Sequence, residues 1–287
     1  MKIKVKILDT SPLFSALSKE KDVYKIKGDI LFDCKAQSKD GIKEIFYKNE
    51  TEPKKAPENA EIEFFSGVEC EKELYNRIKT LFCGEEDEKN LKSIGEVVDE
   101  LPNYYKNYVN SANNESVKAE RIGAVLLISS LFDIENGEKL SDIERTENGK
   151  PYFSQKSEVF NISHSENLVC LACFDDKWGN EPTKEANLLG VDIEKVCDLS
   201  SEETEKRKKI ANRFFSKEEN EWLARLDKKD FAYAFTLLWT KKESEIKMTG
   251  DGFSFCKNEK PKAKQKSYHI KNQGESYILS LSYIENA

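Results

Sequence analysis

Five residues form the most informative stretch of this sequence, Gly190-Val191-Asp192-Ile193-Glu194. Its small and apolar positions predict a buried β-strand, and the side chains of a strand alternate between its two faces. Asp192 and Glu194 therefore share one face. Two carboxylates side by side on a half-buried strand repel each other and lose hydration unless a cation lies between them. A divalent metal ion would supply that cation, and the alternative is a strand with one face in water.

Composition limits the class of protein. The 287 residues are 38% hydrophobic and 34% charged, which predicts a soluble globular chain long enough for one large domain or two modest ones. The net charge of −7 disfavours binding to the phosphate backbone of nucleic acids. No apolar run approaches the roughly 20 residues of a membrane span, and residues 1–14 lack the apolar core of a signal peptide. We therefore expect a cytoplasmic protein that binds neither nucleic acid nor membrane. We also expect a monomer.

Seven cysteines are scattered along the chain, and their odd number does not fit a disulfide framework. Cys170 and Cys173 have the CxxC spacing, but they lie within an apolar run at residues 168–174. A zinc site would need further ligands, and the chain has only two histidines, His164 and His269. We expect both cysteines to be small core residues of a strand.

The first half of the chain predicts strands around one long helix. Residues 115–132 predict a buried helix, because apolar residues cover much of its circumference. The tetrapeptide Asn148-Gly149-Lys150-Pro151 predicts a turn. Strands are predicted at residues 2–8, 160–163 and 168–174, with 164–167 as the loop between the last two.

Residues from about 19 to 100 form an insertion rich in Lys and Glu, which we expect to pack on the first half. Its apolar patches predict strands near 30–32 and 62–65 and helical segments at 74–82 and 91–101. Residues 175–185 are typical of a connector. The chain is therefore divided into an N-terminal subdomain, residues 1–183, and a C-terminal subdomain, residues 184–287.

The helices of the second half carry strong start signals. Ser200 and Ser216 each begin a Ser-x-x-Glu capping box. Asp230 is predicted to cap a longer helix that ends at Gly250. Strands are predicted at residues 188–194, 266–270 and 276–283. Each half thus offers strands and helices in an α+β pattern that repeats loosely.

Glu243 lies where this longer helix should carry an apolar side chain. It follows Phe235 by eight residues and Trp239 by four, so the three positions share one stripe of the helix. A carboxylate on that stripe favours a cation-binding function. The alternative is an i,i+4 pair with Lys247 at the surface.

Two other polar residues, Glu219 and His164, could have either a structural or a functional role. Glu219 is the fourth residue of a Ser-x-x-Glu box, so helix capping alone would explain it. His164 lies between two serines, whose hydroxyls can bind phosphate oxygens, and we favour ligand contact over a core histidine.

Five motifs follow one another along the chain: Gly149-Lys-Pro151, Phe160-Asn-Ile-Ser-His-Ser165, Gly190-Val-Asp-Ile-Glu194, Arg213-Phe-Phe-Ser-Lys-Glu-Glu219 and Trp239-Thr-Lys-Lys-Glu-Ser-Glu-Ile-Lys247. Together they resemble the surfactin-type 4′-phosphopantetheinyl transferase family, clearly over residues 115–256 and more weakly over 1–13. The resemblance implies two similar α/β subdomains related by a pseudo-two-fold axis, with coenzyme A in the cleft between them. The insertion at 19–100 departs from the family, whose first half is usually short.

The resemblance also implies a metal site. Asp192, Glu194 and Glu243 match the carboxylates that hold Mg²⁺ against the pyrophosphate of coenzyme A. This agrees with the reading of the strand itself, because Mg²⁺ prefers hard oxygen ligands from a few carboxylates, completed by phosphates and water.

Contacts to coenzyme A are implied for five residues. Ser163 and His164 match a loop at the cofactor phosphates, and Lys150 and Arg121 match contacts to the ribose 3′-phosphate. Lys247 matches the lysine that reaches the pyrophosphate.

The implied reaction is the Mg²⁺-dependent transfer of 4′-phosphopantetheine from coenzyme A to a serine of an acyl or peptidyl carrier protein, with release of 3′,5′-ADP. Lys247 would neutralise charge, and Glu243 or Glu219 would accept the serine proton; the sequence does not choose between them. Two alternatives stay open, a non-catalytic scaffold that binds coenzyme A and another Mg²⁺-dependent phosphoryl transferase. The sequence contains neither a Walker A motif nor a kinase glycine-rich loop, which disfavours the second.

Overall fold

The computed structural model describes residues 3–10, 33–36, 60–64, 98, 101–129, 131, 143–153, 159–174, 188–250, 263–272 and 274–284. These residues form a mixture of helices and strands in two compact units, which confirms the predicted mixed class. The first unit holds the described residues up to 174 except 33–36, and the second holds 33–36 and everything described from 188 onward. Among the helices in these ranges, none has both the length and the hydropathy needed to cross a bilayer.

The elements, in chain order, are β1 (Ile3–Asp9), β2 (Asp33–Ala36), β3 (Ala60–Phe64), α1 (Asn103–Asn110), α2 (Glu115–Ser129), β4 (Ile143–Arg145), β5 (Pro151–Phe153), β6 (Phe160–Ser165), β7 (Leu168–Phe174), β8 (Leu188–Lys195), α3 (Ser201–Phe214), α4 (Lys217–Leu223), α5 (Lys228–Thr249), β9 (Lys264–Asn272) and β10 (Glu275–Ile284).

The sheet of the first unit has the strand order β3-β1-β7-β6. Strand β1 is parallel to β3 and antiparallel to β7, and β7 is antiparallel to β6. Every residue of β7 is buried, which explains its unbroken apolar run and confirms that Cys170 and Cys173 are core residues. Helix α2 packs on this sheet through an apolar cluster that includes Val125, Val169 and Leu171.

The sheet of the second unit is antiparallel, with the order β2-β9-β10-β8. Helix α5 packs on it, and α3 and α4 pack on α5 through a second apolar cluster. Three aromatic rings stack along α5, those of Phe231, Phe235 and Trp239, with centroids about 6 Å apart. Glu243, four residues after Trp239, is the next residue on the helix stripe that carries these rings.

One strand–helix–hairpin arrangement occurs in both units. In the first, β1 is followed by α2 and the hairpin β6–β7, and β7 lies between β1 and β6. In the second, β8 is followed by α5 and the hairpin β9–β10, and β10 lies between β8 and β9. Each unit therefore has its own long helix on its own sheet.

The capping boxes at Ser200 and Ser216 and the left-handed glycine at Gly250, with φ 78°, are confirmed. The predicted start of α5 is wrong by three residues. Its N-cap is Asp227, whose Oδ1 accepts the N–H of Asp230 at 2.9 Å. Two aspartates three residues apart both fit a start signal, and the first of them is the cap.

Two other boundaries differ from the prediction. Helix α2 ends at Ser129 rather than at residue 132. Strand β6 continues through Ser165, so the connection to β7 is only Glu166 and Asn167, and Glu166 has a φ of 53°. The ladder to β7 keeps residues 164 and 165 extended, because His164 pairs with Val169 and Ser165 with Leu168.

The insertion contributes to both sheets. Strand β3 confirms the predicted strand near 62–65 and pairs with β1 in the first unit. Strand β2, however, pairs with β9 in the second unit, so the expectation that the insertion packs on the first half is wrong for these four residues. An edge strand such as β9 leaves backbone groups available, and any extended segment can satisfy them. The predictions at 30–32, 74–82, most of 91–101 and the connector lie outside the described residues.

Candidate functional site

Helix α5 touches strand β8 directly at Gly190. A Cβ at this position would lie 1.9 Å from the backbone O of Ser244 and 2.5 Å from the backbone N of Met248, so only glycine fits. The helix therefore lies on the face of the sheet toward which position 190 points. Strand positions two and four residues further on point the same way. The carboxylates of Asp192 and Glu194 are thus on the face that α5 covers.

An ion pair joins this face to the helix. Lys247 Nζ donates a hydrogen bond to Asp192 Oδ1 at 2.7 Å. The Asp192 side chain is 5% exposed and that of Lys247 is 31% exposed, so the charge of Asp192 is compensated where water hardly reaches it. Glu194 is half-buried two residues further along β8. The cation that pairs with Asp192 here is a lysine ammonium from α5.

Glu243 lies one helical turn before Lys247 and is half-buried. Burial raises the pKa of Glu243, the negative charge of Asp192 raises it further, and the ammonium of Lys247 opposes both. The Asp192 carboxylate on β8 is thus close enough to disfavour the ionised form of Glu243 on α5. A site of this kind stabilises an additional cation.

These side chains fit a magnesium ion as donors. Asp192 and Glu243 offer hard oxygen atoms in a half-buried place, and Mg²⁺ is usually held by one or two carboxylates together with substrate phosphates and water. Within the described ranges, no three His, Cys, Asp or Glu side chains form a ready-made cluster for a metal ion. Asp192 and Glu243 alone would supply the one or two carboxylates that Mg²⁺ usually takes from a protein.

Glu219 closes the capping box at the start of α4. Its Oε2 accepts the backbone N–H of Ser216 at 2.7 Å, and its own N–H donates to Ser216 Oγ at 3.2 Å. Lys242 Nζ of α5 lies 3.9 Å from the same Oε2. Burial lowers the pKa of Lys241, and the charge of Glu219 opposes that shift. Glu219 is therefore a helix cap that also faces two lysines of α5.

Ser163 and His164 lie in the first unit, on opposite faces of β6. Ser163 is buried, whereas the His164 side chain is 49% exposed and its Nδ1 lies 3.0 Å from Glu120 Oε1 of α2. The predicted loop at His164 is therefore wrong, because His164 is part of the strand and points away from Ser163.

Arg121 holds α2 against the end of α1. Its guanidinium donates to the backbone O of Tyr108 and, at 2.8 Å, to Ser111 Oγ, and it lies 4.8 Å from the centroid of the Tyr108 ring. A carbonyl in the last turn of a helix favours such a cation. The structure thus gives Arg121 a packing role within the first unit.

Lys150 lies in the predicted turn at residues 148–151, and the turn between β4 and β5 is confirmed. Gly149 has a φ of 83°, a conformation that L side chains rarely adopt. The N–H of Lys150 donates to Thr146 Oγ1 at 3.1 Å, and Arg145 donates to the backbone O of Gly149 at 2.9 Å. The first unit therefore carries Lys150, Arg121, Ser163 and His164, and the second carries the carboxylates and Lys247.

Sequence reasoning missed two partners of these residues, Glu120 beside His164 and Lys242 beside Glu219. Both contacts join elements that are distant in sequence, and a lone Glu or Lys on a helix carries no signal of its partner. The useful signal for Glu243 was its position four residues after Trp239 and eight after Phe235, on a stripe that should be apolar.

Residues 188–285 match the family described as the 4′-phosphopantetheinyl transferase superfamily, ACPS. The match runs from β8 to β10 and includes Asp192, Glu243 and Lys247. The predicted resemblance is thus confirmed for this part of the chain.

Three relatives show the extent of the likeness. The chain is 40% identical to the 4′-phosphopantetheinyl transferase Sfp of Bacillus subtilis over 109 residues, which are 38% of this chain and 41% of that protein. It is 30% identical to HetI of Nostoc sp. over 132 residues, 45% of this chain and 48% of that protein. It is also 30% identical to gsp of Aneurinibacillus migulanus over 146 residues, 50% and 54% of the two chains. The match thus spans about half the length of these relatives.

Proposed function

We propose that this protein is a Mg²⁺-dependent 4′-phosphopantetheinyl transferase, which moves 4′-phosphopantetheine from coenzyme A to a serine of an acyl or peptidyl carrier protein. The observation that carries the proposal is the cluster of Asp192, Glu243 and Lys247 inside the superfamily match. The names of the relatives, each a 4′-phosphopantetheinyl transferase, support the same reaction.

The reaction exchanges one phosphorus–oxygen bond for another. The serine hydroxyl of the carrier protein attacks the β-phosphorus of coenzyme A, and the bond from that phosphorus to the bridging oxygen breaks. The bridging oxygen leaves with 3′,5′-ADP, and the serine proton passes to a base. Such a transfer depends on positioning and on neutralising charge, which are the tasks that the residues of the second unit can perform.

Lys247 has the charge and the flexible side chain needed to contact the pyrophosphate of coenzyme A. Its ammonium now compensates Asp192, and at 31% exposure it can turn on its flexible stem toward a phosphate oxygen. A phosphate group brings its own negative charge, so the lysine would exchange one anionic partner for another.

Glu243 is one of two candidates for the base. In the protein without metal, burial moves the pKa of Glu243 upward, in the direction that favours proton transfer, and a bound Mg²⁺ would oppose that shift. Glu219 is the second candidate, and its Oε2 already accepts the N–H of Ser216. Breaking that bond would remove part of the cap of α4.

Asp192, Glu194 and Glu243 would hold the magnesium ion. When bound there, the ion would withdraw negative charge from the pyrophosphate and make 3′,5′-ADP a better leaving group. The side chains supply the hard oxygen donors that this task requires.

The proposal includes binding contacts from the first half. Ser163 and His164 would contact the cofactor phosphates, and Lys150 and Arg121 the ribose 3′-phosphate. The proposal also divides the chain near residue 183 into two similar halves related by a pseudo-two-fold axis. The strand–helix–hairpin order that both units share supports this division. We further propose that the protein acts as a monomer in the cytoplasm.

Mass spectrometry of apo carrier proteins tests the proposal. Incubation of the protein with coenzyme A, Mg²⁺ and fatty-acid, polyketide or peptide carriers should add one phosphopantetheine group to at least one of them. Asp192→Asn should abolish the gain, and Glu245→Gln, a matched change on the same helix as the candidate base, should not. No mass gain on any carrier, despite binding of coenzyme A, would support the non-catalytic scaffold instead.

A further inference from the structure

The face of α5 that meets the sheet is lined by hydroxyl groups where apolar side chains are usual. Thr240 Oγ1 lies 2.8 Å from Ser280 Oγ, and Ser244 Oγ lies 2.8 Å from Ser282 Oγ. All four residues are 0% exposed. We call these two pairs the hydroxyl seam.

The seam lies where the helix and the sheet are closest. In the β8–β10 ladder Ser280 is opposite Asp192, and Ser282 is opposite Gly190, the residue that touches the backbone of α5. Small side chains at all these positions let the helix approach to backbone contact. The position of α5 on the sheet is therefore set by hydrogen bonds to β10 and by backbone contact with β8.

The two hydroxyl pairs determine the rotation and the translation of α5 as well as its distance from the sheet. Thr240 and Ser244 are one helical turn apart, about 6 Å, and Ser280 and Ser282 are two strand residues apart, about 7 Å. The two spacings match, so both pairs form together only at one rotation and one translation of α5. A small slide or turn of the helix would break both hydrogen bonds between α5 and β10. Each hydroxyl would then keep only its second partner, which is Leu237 O, Lys241 O, Ser267 Oγ or Gln265 Nε2.

The residues of the candidate site are attached to this seam. Glu243 directly precedes Ser244, and Lys247 comes three residues later on the same helix. Lys247 contacts Asp192, which is the cross-strand neighbour of Ser280. The orientation of the helix thus decides how Glu243 and Lys247 stand relative to the carboxylates of β8.

We infer that Thr240, Ser244, Ser280 and Ser282 are positioning residues, which hold α5 at the rotation and distance that bring Glu243 and Lys247 to Asp192. The inference rests on the proposed function for its catalytic consequence. The effect of these residues on Mg²⁺ binding can be measured without the transfer reaction and does not depend on that function.

Thr240→Val is the test variant, because valine has the shape of threonine and lacks the hydroxyl. Thr236→Val is the matched control: Thr236 is also buried on α5, one turn earlier, and its hydroxyl bonds to Ala232 O within the helix and to Arg207 on α3. Thr240→Ser, which restores the hydroxyl, is the rescue variant. Each is compared with the wild type by Mg²⁺ affinity from calorimetry, by kcat and KM of transfer, and by Tm.

Thr240→Val should weaken Mg²⁺ binding and lower kcat, each by about tenfold. The KM for the carrier protein should not change, because misplaced site residues slow the reaction more than they weaken substrate binding. Thr240→Ser should recover most of both, and Thr236→Val should change only Tm. Equal Mg²⁺ affinity and equal kcat in Thr240→Val and Thr236→Val would overturn the inference. A wild type that transfers nothing would overturn the proposed function alone, and the Mg²⁺ affinities would still decide the role of the seam.

Discussion

Lys247 Nζ lies 2.7 Å from Asp192 Oδ1, across the contact between α5 and β8. The two residues are 55 positions apart in sequence, and the carboxylate is almost inaccessible to water. A lysine thus provides the positive charge that a strand with a buried aspartate requires. The cation expected from the sequence has two possible sources, a side chain of the protein and a metal ion.

Replacement of Lys247 by Met separates these two sources. The variant should be less stable than the wild type without metal, by about 2 kcal/mol, because it leaves Asp192 without this counter-charge. This figure is below that of a fully buried pair, since Lys247 is partly hydrated. Mg²⁺ should then raise the Tm of Lys247→Met more than that of the wild type, as measured by calorimetry with and without a chelator.

Lys206→Met is the matched control for that prediction. Lys206 pairs with Glu202 at 2.7 Å on α3, and both side chains are well exposed. This substitution should change neither stability nor the response to Mg²⁺. If Lys247→Met behaved in the same way, the ion pair with Asp192 would contribute nothing to the site.

Glu243→Gln should change how stability depends on pH. Because folding raises the pKa of Glu243 above its usual 4.5, the folded state binds this proton more tightly than the unfolded chain does. The resulting stabilisation is complete below pH 4.5 and is lost as the pH rises through the raised pKa. Glutamine resembles the neutral carboxyl, so the variant should lose less Tm than the wild type between about pH 4 and about pH 8 in the presence of a chelator.

The difference in Tm between Glu243→Gln and the wild type should therefore grow with pH, and Mg²⁺ should reduce it by stabilising the ionised wild type. Glu245→Gln, two positions along the same helix, serves as the control. A difference that stays constant across the pH range would show that Glu243 does not have a raised pKa.

The sequence predicted the secondary structure of the second half well, because its signals are local. Alternation in β8, the boxes at Ser200 and Ser216, and Gly250 after a long periodic segment each depend on residues within one turn or strand. Asp227 and Asp230 show the limit of such signals, since both can cap and only the packing of α5 decides between them. The pairing of β2 with β9 had no signal, because four extended residues can pair with any open edge.

The site was predictable in its residues and not in its contacts. Asp192 and Glu243 stood out because a carboxylate on a core-facing position needs an explanation. The hydroxyl seam did not stand out, since Ser and Thr are ordinary on helices and strands and only the three-dimensional register pairs them. His164 shows the opposite error: a motif placed it in a loop, and the ladder to β7 places it on a strand.

Substitutions at Glu219 and Ser216 should separate helix capping from catalysis. Glu219→Gln keeps an oxygen that can accept the Ser216 N–H, so stability should change little. Ser216→Ala removes the other half of the box and should cost about 1 kcal/mol in urea unfolding. If Glu243 is the base, both variants should keep transfer rates within about twofold of the wild type. A large loss of kcat in Glu219→Gln, at unchanged stability, would make Glu219 the base instead.

Gly190→Ala should be the most damaging single substitution in the second unit. The new Cβ would lie 1.9 Å from the Ser244 backbone O, and backbone atoms on a packed helix cannot move aside, so α5 would have to separate from β8. We expect a loss of more than about 4 kcal/mol in urea unfolding, with loss of Mg²⁺ binding in any protein that still folds. Gly274→Ala is the control: it has a φ of 84° and open space around it, so alanine there should cost only about 1 kcal/mol of backbone strain. Equal costs at the two glycines would mean that α5 and β8 are not in backbone contact, and the positioning of Lys247 against Asp192 would need another cause.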